Sequence, residues 1–194
     1  MIRFGSIGRR AGAALALALA LALSASAGCA KRRAEPPIPP EFNGLLVRQP
    51  LPKLALREWL VGPNPLRPEF GRRPCLILFW NYGDPASGQA IALVDSIGRA
   101  VPQDRLAVFT IHTEVGLEES QSRAGLQKFV VAQRLMLPVA IDRGNESLRL
   151  CQLPDVPSLV FVDANRTVRG AMENYRQSRN GDIAAFVERL AGER

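Results

Sequence analysis

Histidine, cysteine and aromatic residues are scarce in this chain of 194 residues. There is one His, His112, and there are three Cys, while only 6% of the residues are aromatic. A single His among scattered carboxylates lacks the ligand spacing of a zinc or other transition-metal centre. We therefore expect neither a metal site nor a cofactor.

Acidic residues are absent from the first 34 positions, so the formal net charge of +7 is unevenly distributed. The chain has 25 basic and 18 acidic residues, and Arg3, Arg9 and Arg10 belong to the N-terminal leader. Without residues 1–28 the balance falls to about +4 and the charges are mixed, so the composition does not indicate nucleic-acid binding.

The N-terminus has the pattern of a secretory signal peptide over residues 1–28. Three Arg residues precede an Ala/Leu run of ten residues, 14–23, and small residues then follow as far as Cys29. That apolar run is short for a membrane span, which takes about 20 residues. An uncleaved N-terminal anchor is the alternative interpretation.

Cys29 follows "SAG", and "SAGC" resembles the lipobox of bacterial lipoproteins, although Ser26 stands where an aliphatic residue is usual. The resemblance implies that Cys29 is lipidated and becomes the mature N-terminus, which leads to a membrane-tethered protein on the periplasmic side of the bacterial envelope. The "KRR" at 31–33 could contact anionic head groups or be a plain basic spacer. The Pro-rich segment after it predicts an extended tether over residues 29–44.

Apolar runs and helical patterns alternate along the rest of the chain, which predicts one α/β domain over residues 45–194. Residues 49–74 are turn-rich and suit an edge strand or hairpin. The predicted elements are strands at 75–80, 105–113, 138–142, 157–163 and 167–175, and helices at 85–101, 120–137, 145–151 and 180–192. We expect a mostly parallel central sheet with an antiparallel C-terminal hairpin.

Three segments in this order resemble the thioredoxin superfamily, more narrowly the TlpA/ResA-like branch of exported thiol-disulfide proteins. They are "CLILFWNYGDPAS", "AVFTIHTEV" and "LPVAIDRGNESLRLCQLPDVPSLVFVDANRTV". The resemblance covers about residues 45–192 and implies a thioredoxin-like three-layer sandwich. It also implies that Pro157 is the cis-proline that faces the active-site turn.

The chain departs from this family at the two cysteines of the redox motif. Asp84 stands at the first Cys and Ser87 at the second, although Trp80 keeps the family's Trp. A carboxylate cannot form a disulfide and a hydroxyl cannot resolve one, which excludes dithiol exchange at this site. Asp84 followed by Pro85 is instead a good helix start, and Ser87 is expected to face outward from the first turn.

The sequence contains two other candidate arrangements of reactive residues. Cys75 and Cys151 could pair or carry relocated redox chemistry, but Cys75 opens an apolar strand, where a buried thiol is the ordinary expectation. Asp84, Ser87 and His112 are the residue types of a hydrolytic triad, but no oxyanion hole or nucleophile elbow accompanies them.

A binding role remains. In redox-active relatives a groove beside the cis-proline accepts an extended peptide, and the resemblance would build it here from Trp80, Tyr82, Asp84, Val156 and Pro157. The predicted function is a non-catalytic periplasmic module that binds a protein or peptide. The alternative is a thiol-disulfide or peroxide oxidoreductase that uses Cys151 or Cys75. The sequence does not indicate the oligomeric state.

Overall fold

A six-stranded mixed sheet forms the centre of the computed structural model, which describes residues 42, 44, 46–67, 72–114 and 123–192. The strands are β1 (Leu56–Val61), β2 (Cys75–Trp80), β3 (Ala107–His112), β4 (Val139–Asp142), β5 (Ser158–Val162) and β6 (Val168–Met172). The helices are α1 (Pro85–Ala100), α2 (Arg123–Ala132), α3 (Glu146–Leu150) and α4 (Asn180–Gly192). The predicted signal peptide and Cys29 lie outside the described residues.

The strand order is β1-β4-β3-β2-β5-β6, with β1 as the edge strand suggested by the turn-rich segment. The parallel pairs are β2 with β3 and β3 with β4. The pairs β1 with β4, β2 with β5, and β5 with β6 are antiparallel. The α/β sandwich and its C-terminal hairpin are confirmed, but antiparallel pairs outnumber parallel ones. A buried strand has a continuous apolar run whether it is parallel or antiparallel to its neighbour, so the sequence could not show that β5 is antiparallel to β2.

Two apolar layers lie on opposite faces of the sheet because successive side chains of a strand alternate. In β2, Leu76, Leu78 and Trp80 pack in one layer with α1, α2 and α4. Cys75, Ile77 and Phe79 pack in the other layer with α3 and apolar residues of the segment 46–54. All six side chains of β2 are buried, which makes β2 the centre of the three-layer arrangement.

The second helix ends earlier than the pattern predicted, at Ala132. Its described part is α2, whereas the expectation ran from 120 to 137 and residues 115–122 lie outside the described residues. Arg134 has a φ of 51°, in the left-handed region, so the helix cannot continue through it. Leu137 is nevertheless buried, as expected, but from the loop after the helix. No helix among the described residues is long and apolar enough to cross a membrane.

Phe42 belongs to the core although it lies in the predicted tether. Its side chain is fully buried, and its ring centroid lies 5.1 Å from that of Phe161 and 4.9 Å from that of Phe186. Gly170 allows this packing, since a Cβ there would stand 3.1 Å from the Cβ of Phe42. The packed domain therefore extends at least to residue 42, three residues before the predicted boundary at 45.

We expect Phe42→Ala to reduce the free energy of unfolding by about 3–5 kcal/mol, because it removes a buried ring and leaves a cavity. Urea unfolding of the full-length chain, followed by circular dichroism, measures this loss. The matched control is Val131→Ala, at a side chain that is 70% exposed, and it should change stability by less than about 0.5 kcal/mol. An equal, small effect of both variants would show that Phe42 is only part of a tether.

Candidate functional site

The turn between β2 and α1 is held by the side chain of Asn81. Its Oδ1 accepts a hydrogen bond from the Gly83 amide at 2.7 Å, and its Nδ2 donates to the carbonyl of Thr113 at 3.2 Å. The Asp84 amide donates to the Asn81 carbonyl at 3.2 Å, and the Thr113 amide donates to the Trp80 carbonyl at 2.8 Å. Asn81 thus joins the end of β2 to the end of β3. The sequence does not indicate this role of Asn81, because a polar residue beside Tyr82 and Gly83 is typical of any loop.

Asp84 caps the N-terminus of α1, as predicted. Its Oδ1 accepts from the Ala86 amide at 3.2 Å, its Oδ2 accepts from the Ser87 amide at 2.8 Å, and Pro85 occupies the first helical position. The carboxylate satisfies two amides that have no partner within the helix, and it meets the positive end of the helix dipole. The turn therefore keeps a well-formed helix start without a thiol.

Ser87 faces inward, so the prediction that it faces outward is wrong. Its side chain is fully buried; its hydroxyl donates to Asp84 Oδ2 at 2.8 Å and accepts from the Asn81 amide at 3.2 Å. The cause is helical periodicity: Ser87 precedes Ala90 and Ile91 by three and four residues, and all three lie on the buried face of α1. The Ser87 hydroxyl already donates its proton to Asp84, and its oxygen is buried from solvent.

Four rings pack together beside the turn: Trp80, Tyr82, His112 and Phe129. The Tyr82 and His112 ring centroids lie 5.4 Å apart with an interplanar angle of 26°, and Trp80 meets His112 edge-on at 5.3 Å. Phe129 of α2 lies 5.6 Å from Trp80 and 5.8 Å from Tyr82. The register of the parallel pair explains the contact, since Trp80 and His112 are partners at the ends of β2 and β3.

His112 is buried in this cluster and stays neutral near pH 7. Within the described part of the chain, neither of its ring nitrogens has a hydrogen-bond partner, and the same holds for the indole nitrogen of Trp80. Burial lowers the pKa of His112 to about 4 because the charged form would lose its hydration. Asp84 and Ser87 are bonded to each other and neither is bonded to His112, so the three do not form a hydrolytic triad.

The Val156–Pro157 peptide bond is cis, and it lies next to the end of β2. The pairing of Phe79 with Ser158 puts Pro157 across from Trp80. The Pro157 carbonyl accepts from the Tyr175 amide at 2.9 Å, and the Val156 amide donates to Asp155 Oδ1 at 2.7 Å. No donor among the described residues bonds the Val156 carbonyl. Val156 thus retains a main-chain acceptor beside the turn.

The residues predicted to form a groove differ in exposure. Tyr82, Asp84 and Val156 are half-buried, whereas Trp80 and Pro157 are buried. Trp80 cannot line a groove because β3 and β5 flank it and the rings of His112 and Phe129 cover it. Trp80 packs against His112 and Phe129, the two rings that contact Tyr82, so the prediction that Trp80 presents a binding surface is corrected. The Pro157 side chain is likewise buried and does not present a surface.

Cys75 and Cys151 are unpaired and buried, which confirms the prediction of buried thiols. Burial raises the pKa of Cys75 to about 11, although the Arg166 guanidinium, with Nη1 3.6 Å from Sγ, opposes the shift. Burial, together with the nearby Asp142 carboxylate, raises the pKa of Cys151 to about 12. Both thiols are therefore protonated near pH 7, whereas exchange chemistry needs a thiolate. No group of three His, Cys, Asp or Glu side chains suited to a metal ion occurs among the described residues.

Comparison with solved structures identifies the architecture. A thioredoxin-like superfamily protein aligns with a TM-score of 0.66 over 75% of this chain and 97% of its own, at 21% identity. A thiol-disulfide isomerase from Corynebacterium glutamicum aligns with a TM-score of 0.65 over 75% and 97%, at 18% identity. The chain has the thioredoxin fold. No protein-family model and no curated protein matches its sequence.

Another solved structure of the same fold is the exposed lipoprotein thioredoxin Etrx1 of Streptococcus pneumoniae. It aligns with a TM-score of 0.53 over 63% of this chain and 88% of its own, at 17% identity. The thioredoxin fold explains why the turn before α1, the end of β3 and the cis-proline meet at one end of the sheet. The expectation of a thioredoxin-like sandwich is confirmed.

His112 makes stability depend on pH with a defined sign. The pKa of His112 is near 6.5 in the unfolded state and about 4 in the folded state. Between these two pH values the unfolded state binds a proton that the folded state does not. The stabilisation is complete above pH 6.5 and is lost as the pH falls toward 4, by up to about 3 kcal/mol. His112→Phe should remove this slope in urea unfolding.

His112 is the single His of the chain, so its NMR titration in labelled protein needs no assignment. A folded-state pKa close to 6.5 would mean that water reaches the ring, which contradicts the closed aromatic cluster.

Proposed function

We propose that this thioredoxin-fold domain is a non-catalytic module that binds an extended protein segment beside Val156 and Pro157. The observation that supports this most is the bonding of Asp84 and Ser87. Asp84 accepts hydrogen bonds from the first amides of α1 and from the Ser87 hydroxyl, and neither residue supplies a thiol. A turn that keeps its geometry without sulfur is suited to holding a chain rather than exchanging its disulfides.

The surface beside the turn offers contacts of two kinds to such a segment. Tyr82 is a half-buried aromatic side chain held by stacking on His112, so little conformational freedom is lost when it packs on a ligand. The Val156 carbonyl can accept a hydrogen bond from the main chain of an added strand. Main-chain pairing gives affinity with little sequence preference, and Tyr82 adds an apolar contact.

Location in the cell envelope is part of the proposal. The features that support it are the signal-peptide pattern of residues 1–28 and the Cys29 lipobox resemblance. Etrx1, which shares the fold, is named an exposed lipoprotein. A lipid on Cys29 would hold the domain near the membrane on the periplasmic side, where unfolded or newly exported chains are the accessible clients.

The rival function, an oxidoreductase that uses Cys75 or Cys151, requires a reactive thiol in the folded state. We expect both cysteines to react with maleimide only after unfolding, because each is buried and has a raised pKa. Mass spectrometry of the full-length chain, labelled near pH 7 with and without urea, measures this for each Cys separately. Rapid labelling of either residue in the folded chain would favour the oxidoreductase and contradict the binding proposal.

The binding proposal predicts that the full-length chain binds carboxymethylated α-lactalbumin, a permanently unfolded protein without free thiols. Fluorescence anisotropy of the labelled α-lactalbumin should show saturable binding, weakened about tenfold or more by Tyr82→Ala, since a central aromatic contact contributes about 1–2 kcal/mol or more.

The matched control is Val131→Ala, which trims an exposed side chain on α2 and should leave binding unchanged. Absence of saturable binding, or equal weakening by both variants, would contradict the proposed groove. Unfolding curves of both variants exclude a general loss of structure as the cause.

A further inference from the structure

A cavity lies at the other end of the sheet from the Asp84 turn. It has a volume of about 640 Å³ and lies where β2 and β3 begin and β5 and α4 end. Its charged lining residues are Arg72, Arg73, Asp104, Arg105, Asp163 and Arg169. We propose that this cavity, named here the arginine pocket, binds a phosphate-bearing ligand through the guanidinium groups of Arg72 and Arg105.

The charge of the arginine pocket is positive because its four Arg residues exceed its two Asp residues. Asp163 is also committed to other partners. Its Oδ1 accepts from the amides of Asn165 and Thr167 at 2.8 and 2.9 Å, and its Oδ2 lies 3.5 Å from Nη1 of Arg169. Asp163 therefore holds the turn between β5 and β6 and balances the charge of Arg169. Asp104 is the other acidic residue that lines the pocket.

Arg72 and Arg105 are the side chains best placed to hold an anion. Both are exposed at the mouth of the pocket, and no carboxylate among the described residues forms an ion pair with either. Arg105 donates through one nitrogen, Nη2, to the Ala191 carbonyl at 3.3 Å. A guanidinium has five N–H donors, so this bond orients the group and leaves most donors available.

Arg169 gives the pocket a rigid wall. It lies in β6, and only 9% of its surface is exposed. Arg169 is paired with Asp163 at the base, so the exposed guanidinium groups of Arg72 and Arg105 supply the forked donors at the mouth. A phosphate has enough acceptor oxygens to meet more than one fork, whereas a single carboxylate is matched by one. Solvent also screens charges less in a concave site than on a flat surface.

The arginine pocket is independent of the proposed peptide groove. The five residue steps of β2 separate the two ends of the sheet by about 16 Å. No residue of the pocket belongs to the Asp84 turn or to the segment around Pro157. Failure of one proposal therefore does not affect the other.

The test is a titration of the full-length chain with inorganic phosphate and pyrophosphate, followed by NMR amide shifts. We expect saturable shifts at the amides of residues 72, 73, 104, 105, 164 and 165, weakened by added salt. Arg72→Gln and Arg105→Gln should each lower the affinity about tenfold or more, the effect of removing a charged hydrogen-bond partner. The control is Arg57→Gln, which removes the same charge from an exposed position on β1, and it should retain binding.

A second arm distinguishes a lipid head group from a free phosphate. It uses dihexanoyl phosphatidylglycerol below its micelle concentration, in parallel with phosphatidylcholine of the same chain length. Tighter binding of the phosphatidylglycerol monomer than of inorganic phosphate assigns the pocket to an anionic head group, and the reverse order assigns it to a soluble phosphate. Absence of saturable shifts with all four compounds, or equal loss in Arg57→Gln and Arg105→Gln, overturns the proposal.

Discussion

The complete burial of β2 is the constraint on which the other elements depend. All six of its side chains are covered, and its two edges are paired with β3 and β5. A strand buried in this way satisfies its main-chain groups only while it stays in the sheet, so the turn after Trp80 needs new partners at once. Asn81 and Asp84 supply them, and the end of β3 is drawn into the same arrangement through Thr113.

The Asp84 turn shows how one physical environment suits two chemistries. The N-terminus of a buried helix stabilises negative charge, which favours a thiolate in a redox protein and a carboxylate here. The Asp84 side chain is therefore compatible with the thioredoxin fold, and the Ser87 hydroxyl donates a hydrogen bond to it. The hydrogen bonds that hold this turn do not involve sulfur.

The two ends of the sheet differ in chemistry. Beside the Asp84 turn, neutral rings pack around His112, whose ionisation is opposed by burial. At the opposite end, the loops that precede β2 and β3 bring arginines to the rim of a cavity, and Arg169 extends toward them from β6. The proposed peptide groove lies at one end and the proposed anion site at the other, and the strands between them are long enough to keep the two surfaces separate.

Local residue patterns by themselves determined most of the elements: the apolar runs of β2, β3 and β5, the amphipathic stripe of α1 and the cap at Asp84 are each encoded within a few residues. Tertiary structure decided what depends on distant partners. The direction of β5 against β2, the inclusion of Phe42 in the core and the closure of rings over Trp80 follow from packing between segments far apart in the chain. The residues of the arginine pocket could not be recognised one by one either, because a charged residue in a loop acquires a role only when the fold gathers several into one concave surface.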